Sequence, residues 1–303
     1  MAIMTQLVFV SERAAYLPGT NNLGIIIAEG RTAIAVDTGI DKEAARLLRR
    51  ACETAGLRLC AVISTHHHAD HVGGNDYLVR NIPELEVYAP QREAPFIEDP
   101  YLEPMYLSSG ARPLGALHNK FVMATPSPVH HRITPGVRTI AGVELQLIAI
   151  PGHSLAQVAV VVDDVCYAAD GFFGQRVLNK YGVPYAHDVG AQIASFDVLT
   201  MLTVSQWIPG HGDAVDRAGL VSTLYDNRNA VQHSRELVLA VIATPQTLPA
   251  TVAAVQNALA MPSASVAQYA VFASGIAAYL NWLVAEGAAV AELSDAGIVW
   301  RAV

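Results

Sequence analysis

The sequence predicts a mixed α/β domain followed by a small helical module, and three observations carry that reading. Up to residue 90, short runs rich in β-branched side chains alternate with turns and one amphipathic helical pattern. Apolar runs then repeatedly end on a histidine or an aspartate beside a glycine, at His66, His153, Asp170 and His211. Past Asp216 the apolar spacing becomes helical. A chain of 303 residues can hold one large domain or a main domain with an appendage.

Taken in order, "LVFV", "LGIIIAE" and "RTAIAVDTG" read as strands, the last two joined by a hairpin turn at Glu29-Gly30. Asp41 caps a helix over 41–56 that Gly56 ends, with Ala44, Leu47, Leu48 and Ala51 on one face. "LCAVIST" is a short buried strand. The proline-rich stretch from Pro90 to Pro135 carries Phe96, Tyr101, Tyr106 and Phe121 and is expected to be an ordered, lid-like insertion rather than core. Strands return over 137–150, 157–164 and 165–170, a helix covers 195–205, and "QWIPGHGD" is a strand emptying into a loop. Beyond Asp216, Leu220, Leu224, Val231 and Val238 share one helical face. Two further helices follow over 250–260 and 266–287, and a hairpin turning at Asp295-Ala296-Gly297 closes the chain. Helices followed by such a β-wing resemble a winged-helix module. The expected division is a catalytic domain over 1–215, with the insertion at about 90–135, and a helical module over 216–303.

Composition bounds the function. Apolar residues make up 52% and charged residues 15%, so the chain is globular with a sizeable core. The net charge is −8 and only Lys42, Lys120 and Lys180 are lysines, which disfavours nucleic acid and anionic membranes as partners. Cys52, Cys60 and Cys166 have no paired spacing, which fits reduced, packed thiols. The start "MAIMTQLVFVSER" lacks the pattern of a secretory leader, so a cytoplasmic protein is expected.

The chemistry concentrates in "HHHADH", residues 66–71. On a segment leaving a strand, alternate side chains face one way, so His66 and His68 can grip one ion. Asp70 and His71 continue round the turn toward a neighbouring position, and Gly73 and Gly74 permit the bend that follows. Imidazole with carboxylate suits zinc, and also iron or manganese. His67 points the other way and is expected to take no metal.

HxHxDH followed by "PGHS", an aspartate after a strand and "PGHGD" resembles the metallo-β-lactamase fold superfamily over about residues 5–215, with "VDTG" (36–39) in keeping. The resemblance implies a four-layer αββα sandwich with metals at one rim of its sheets. It implies His66, His68 and His153 as ligands of a first metal, Asp70, His71 and His211 as ligands of a second, and Asp170 as the bridge. It further implies two divalent ions, zinc foremost, about 3.5–4 Å apart, bringing the pKa of a shared water to about 7. Asp70 then orients that nucleophile and passes its proton on. Asp37 is expected to support ligands rather than bind metal, and Asp213 to cap its loop. Phe172, Phe173, Tyr181, Tyr185 and His187 are candidates for contact with substrate.

The family hosts several chemistries. His68 stands where diiron oxygen reductases carry glutamate, and His71 argues against class B β-lactamases. Lactonases share the ligand set but carry tyrosine where this chain has Phe173. Glyoxalase II shares all seven ligands, yet its basic C-terminal residues have almost no counterpart here. The expected activity is hydrolysis of a small-molecule thioester, ester or lactone by a dinuclear site, in a chain that leaves room for a homodimer. The competing readings are a nucleic-acid phosphodiesterase, which needs a basic grip, and a mononuclear-iron thiol dioxygenase.

Overall fold

The structure, a computed structural model, describes residues 6–303; the leader expectation falls partly on residues 1–5, outside the described residues. One sheet runs β1 (Val8–Phe9), β2 (Ala14–Leu17), β3 (Leu23–Ile27), β4 (Thr32–Val36), β5 (Arg58–Ile63), β6 (Glu86–Pro90) and β7 (His131–Ile133), in that spatial order. The second contains β8 (Gly136–Ile140), β9 (Val143–Ala149), β10 (Val158–Val162), β11 (Val165–Ala169), β12 (Gln206–Pro209) and β13 (Val215–Asp216), in the reverse spatial order. β10 and β11 are buried along their whole length, as five-residue apolar runs covered on both faces must be. β9 alternates buried and exposed positions over most of its length, because it lies one strand from the edge.

The helices are α1 (Lys42–Thr54), α2 (Ala69–Val72), α3 (Asn75–Asn81), α4 (Ala94–Glu98), α5 (Leu102–Leu107), α6 (Gln175–Tyr181), α7 (Val189–Met201), α8 (Arg217–Val241), α9 (Leu248–Leu259) and α10 (Val266–Ala285). Ile26, Ile34, Ile63, Leu145, Val160 and Ile208 fill the space between the sheets. Ile25, Val62, Leu48 and Leu78 join the first sheet to α1 and α3, while Cys166, Trp207, Phe196 and Leu220 join the second to α7 and α8. The result is the four-layer αββα sandwich. The layers are locked by Tyr167, whose buried hydroxyl crosses from the second sheet to Ala15 O (2.9 Å) and Ile25 O (2.8 Å).

Several expectations need correction. Asp41 does cap α1, accepting from the Glu43 and Ala44 amides, a contact worth about 1 kcal/mol. Its buried stripe, however, is Ala45, Leu48, Ala51 and Cys52; Ala44 packs on the turn at Gly39. α7 starts six residues before the expected helix, because Asp188 caps it. It stops at Met201, where Arg217 donates to the Thr200 carbonyl at 2.7 Å and to that of Leu202. The insertion is not wholly outside the core: β7 pairs in parallel with β6, and Ile133 reaches the space between the sheets. α4, α5 and α6 had no clear periodic signal, being five to seven residues long.

In the C-terminal part, Asp216 caps α8, and Leu220, Leu224, Val231 and Val238 are buried. β15 (Ala289–Ser294) and β16 (Gly297–Ala302) form the closing hairpin, and β14 (Gln246–Thr247) pairs with β16 to make a three-stranded sheet. Val183, Ala186 and Val189 share a core with Val238, Val252, Ile276, Tyr279 and Leu283, so this part packs on the segment that follows Asp170. Along α10, Ile276, Tyr279 and Leu283 are buried, whereas Val266 and Tyr269 in its first turn are exposed. Among the described residues, no helix is long and apolar enough to cross a membrane.

Candidate metal centre

The centre is built from strand ends and the short helix α2. β5 releases the chain at Ile63, and the histidines follow directly, running into α2. β4 ends at Val36, and Asp37 adopts φ 63°, a left-handed conformation uncommon for a residue with a side chain. That turn lets its carboxylate accept from the Thr65 amide and hydroxyl, both at 2.8 Å, and meet His71 Nδ1 at 2.8 Å. After β9, Gly152 takes φ 123°, where an added Cβ would also strike the Gln192 backbone, and His153 follows. β11 ends in a register shift between Tyr167 and Ala169, and Ala169 sits at φ 46°. Such bulges redirect the next side chain, here Asp170. β12 ends at Pro209, and Gly210 passes so close to Asp170 and His71 that a Cβ there would meet both.

These ends bring all seven expected residues together. His68 Nδ1 and His153 Nε2 are 2.9 Å apart, and His153 Nε2 is 3.2 Å from Asp170 Oδ2. His71 Nε2 lies 3.3 Å from Asp170 Oδ1, and His211 Nε2 lies 3.2 Å from Asp70 Oδ2 and 3.6 Å from Asp170 Oδ2. Ligand atoms of His66, His68 and His153 fall within 4.8 Å of one another, as do those of Asp70, His71 and His211, and those of His66, His71 and Asp170.

The donor set fits cations. His66 Nε2, His71 Nε2 and Asp170 Oδ1 are buried without a hydrogen-bond partner, a costly condition that a metal at this convergence relieves. The outer ring nitrogens are meanwhile engaged: His66 Nδ1 with Thr65 Oγ1 (3.0 Å), His71 Nδ1 with Asp37, and His211 Nδ1 with Thr20 O (2.8 Å). Outer partners of this kind orient ligating imidazoles. Burial, aided by the neighbouring histidines, holds His66 well below its ordinary pKa. Burial, opposed by Asp170, pushes His153 down to about 3, so both keep free lone pairs. For His211 burial is outweighed by Asp170 and Asp70, and it rises to about 9. For Asp70 burial is outweighed by His71 and His211, and it stays ionised.

His67 points away from the centre, as alternation requires, but it is buried. Its Nδ1 pairs with Glu93, its Nε2 lies 2.9 Å from Glu103 Oε2, and Phe96 stacks on it at 4.4 Å. Burial would lower it, yet contact with Glu103 and Glu93 raises it to about 10.

Of the candidate substrate contacts, Phe173 packs 5.5 Å from the His153 ring, and Tyr185 lies 5.7 Å from His68 and 5.6 Å from His153. The Tyr185 hydroxyl is 3.4 Å from that of Tyr106 on α5, so the insertion reaches this wall. The others lie elsewhere. Phe172 turns into the core with Phe196 and Trp207, because consecutive residues leave a strand end on opposite sides. Tyr181 is exposed at the end of α6 under Lys180. His187 is exposed, and its backbone amide, donating to Gly152 O at 2.8 Å, is the part that touches the site loop. Sequence reasoning missed Thr20, Asn21, Thr65, Glu93 and Glu103. Thr65, adjoining His66, was within reach; Asn21, which donates to Asp70 Oδ2 at 3.0 Å, carries no local signal.

A family model described as the metallo-beta-lactamase superfamily matches residues 18–211. Similar relatives include a hydroxyacylglutathione hydrolase of Xanthomonas campestris pv. campestris (strain B100), 28% identical over 153 residues, or 50% of this chain and 47% of that protein. Another, from Xylella fastidiosa (strain 9a5c), is 26% identical over 243 residues, 78% of each. In the first of these the match spans about half the relative's length. Among solved structures, a beta-lactamase domain protein from Burkholderia ambifaria has a TM-score of 0.75 at 20% identity, covering 100% of this chain and 94% of its own. A metallo-beta-lactamase family protein from Thermus thermophilus has a TM-score of 0.72 at 18% identity, covering 100% of both chains. At these identities the structural likeness shows the fold, here including the C-terminal helices and sheet.

Proposed function

The chain belongs to the metallo-beta-lactamase superfamily, and from that premise we propose that it is a dinuclear metal-dependent hydrolase of small-molecule thioesters, esters or lactones. His66, His68 and His153 hold the first ion, Asp70, His71 and His211 the second, and Asp170 lies between them. The observation that carries this reading is that two ligand groups, His66, His68 and His153 on one side and Asp70, His71 and His211 on the other, flank Asp170, whose carboxylate lies 3.2 Å from His153 Nε2, 3.3 Å from His71 Nε2 and 3.6 Å from His211 Nε2. A single ion on the three histidines of the first group would leave His71 Nε2 and Asp170 Oδ1 unrelieved, which disfavours the mononuclear-iron alternative. The imidazole and carboxylate set suits zinc.

When bound, two such ions polarise a carbonyl and make hydroxide available near neutral pH. The chain supplies the rest. Asp70, steadied by His211 and by the Asn21 amide, is placed to orient the attacking oxygen and to carry a proton toward the leaving group. Phe173 and Tyr185 wall the first-ion side and help exclude water. Among the described residues, no lysine or arginine pairs with Asp37, Asp70 or Asp170, and the wall is aromatic, which favours an uncharged acyl group. Hydroxyacylglutathione hydrolases among the relatives agree with attack of water on an acyl carbon. Residues 1–215 form the catalytic domain in this reading, and 216–303 a winged-helix-like module that packs on it.

The test is a panel of thioesters, lactones, simple esters and phosphodiesters offered to zinc- or manganese-loaded protein. Turnover of an acyl substrate that chelation abolishes is expected. Phosphodiester cleavage with no acyl turnover contradicts the reading.

A further inference from the structure

Glu93 stands just beyond the end of β6, at the entrance to α4, with no exposed surface. Both its carboxylate oxygens are in use, and each takes two donors. Oε2 accepts from the His67 backbone amide at 3.2 Å and from the His67 ring. Oε1 accepts from the Ser154 hydroxyl at 2.9 Å and from the Ala156 amide at 2.5 Å. The first pair belongs to the loop that carries His66 and His68. The second belongs to the loop that carries His153. One buried charge therefore spans the two loops whose imidazoles must converge on one ion. A backbone bond from the Val158 amide, at the start of β10, to Thr65 O (3.1 Å) also joins these two segments, so Glu93 acts beside a main-chain tie and adds a second one through side chains. A carboxylate with four donors has little freedom to move, and bonds to an ionised acceptor are the stronger kind.

We propose that Glu93 is a positioning residue: its carboxylate sets the spacing between the His66/His68 loop and the His153 loop, and thereby the affinity of the first metal position. This rests on the assignment of those histidines to one ion. It gives the insertion a second task, since the group that ties the loops together enters from the insertion's first turn. Phe96 and Glu103, also from the insertion, press on His67 from its other sides and hold the strut in register.

The experiment is zinc binding to the full-length protein by competition with a chromophoric chelator. Glu93→Ala is expected to weaken one of two positions by about 10- to 100-fold, the usual effect of removing an outer partner, and to leave the other unchanged. Glu93→Gln keeps an oxygen for Ser154 and Ala156 and is expected to restore part of the loss. Added to His153→Ala, which empties the first position, Glu93→Ala should change nothing further. Unchanged affinities in folded Glu93→Ala, or equal losses at both positions, overturn the proposal. Should Glu93→Ala fail to fold, Ser154→Ala removes a single donor, and unaltered first-position affinity there overturns it as well. Two ions bound at native affinity by His153→Ala would instead contradict the ligand assignment itself, a result separable from either.

Discussion

At the scale of single residues, side-chain alternation does most of the sorting. His66 and His68 leave β5 on one side and meet His153, while His67 leaves on the other and meets two glutamates. Asp70 combines a place among the ligands with an oxygen held by His211 and Asn21. Asp70→Asn preserves its shape and removes its charge, so it is expected to cut turnover by at least ~100-fold, the lower end of an acid–base contribution. Steady-state kinetics beside metal analysis checks this, and near-native turnover with metal retained would move the proton-handling role elsewhere. While their roles were implied by the family resemblance, the seven candidate ligands were legible because HxHxDH is compact and His153, Asp170 and His211 each close an apolar run beside a glycine. Glu93 and Glu103 were not: their partner His67 lies 26 and 36 positions away in sequence, and they sit in a proline-rich stretch without periodicity.

At the scale of elements, β4, β9, β11 and β12 each end in a local departure from regular backbone. Asp37 and Ala169 take left-handed conformations, β11 carries a register shift, and Gly152 and Gly210 leave no room for a side chain. Strain of this sort persists where surrounding contacts over-determine it, as they do here. Gly210→Ala is therefore expected to lower metal affinity by about tenfold or more although Gly210 is no ligand, because its methyl group displaces Asp170 and His71, and such displacement acts as loss of an outer partner does. The same chelator competition reads it, and native affinity in that variant would show that the strand end yields freely. Strands were legible from β-branched runs, and the long helices from their spacing. Helix boundaries were less so, since the start of α7 is decided by Asp188 and its end by Arg217, a residue from the next helix.

At the scale of the whole molecule, the C-terminal helices pack on the segment that carries Tyr185 rather than hang free of it. Val183, Ala186 and Val189 flank Tyr185 and Pro184 in sequence, and they are buried against α8, α9 and α10. Tyr279 on α10 reaches the Pro184 carbonyl at 3.4 Å. The helical character of this part was legible, but its partner was not, because a buried stripe reveals that a surface is covered and not by what. Its charge disfavours one role, a grip on nucleic acid. From Glu236 to Val303 the only basic side chain is Arg301, against Glu236, Glu286, Glu292 and Asp295, so phosphate contacts have no footing there. What remains is a scaffold whose strand ends, insertion and C-terminal helices all bear on one cluster of seven ligand-type residues. The most direct test of that cluster is elemental analysis of the zinc-loaded protein beside its His153→Ala, His211→Ala and Asp170→Ala variants. The account predicts close to two ions per chain, one in each histidine variant, and a loss at both positions in Asp170→Ala; a single ion in the unaltered protein, or two retained without Asp170, would contradict it.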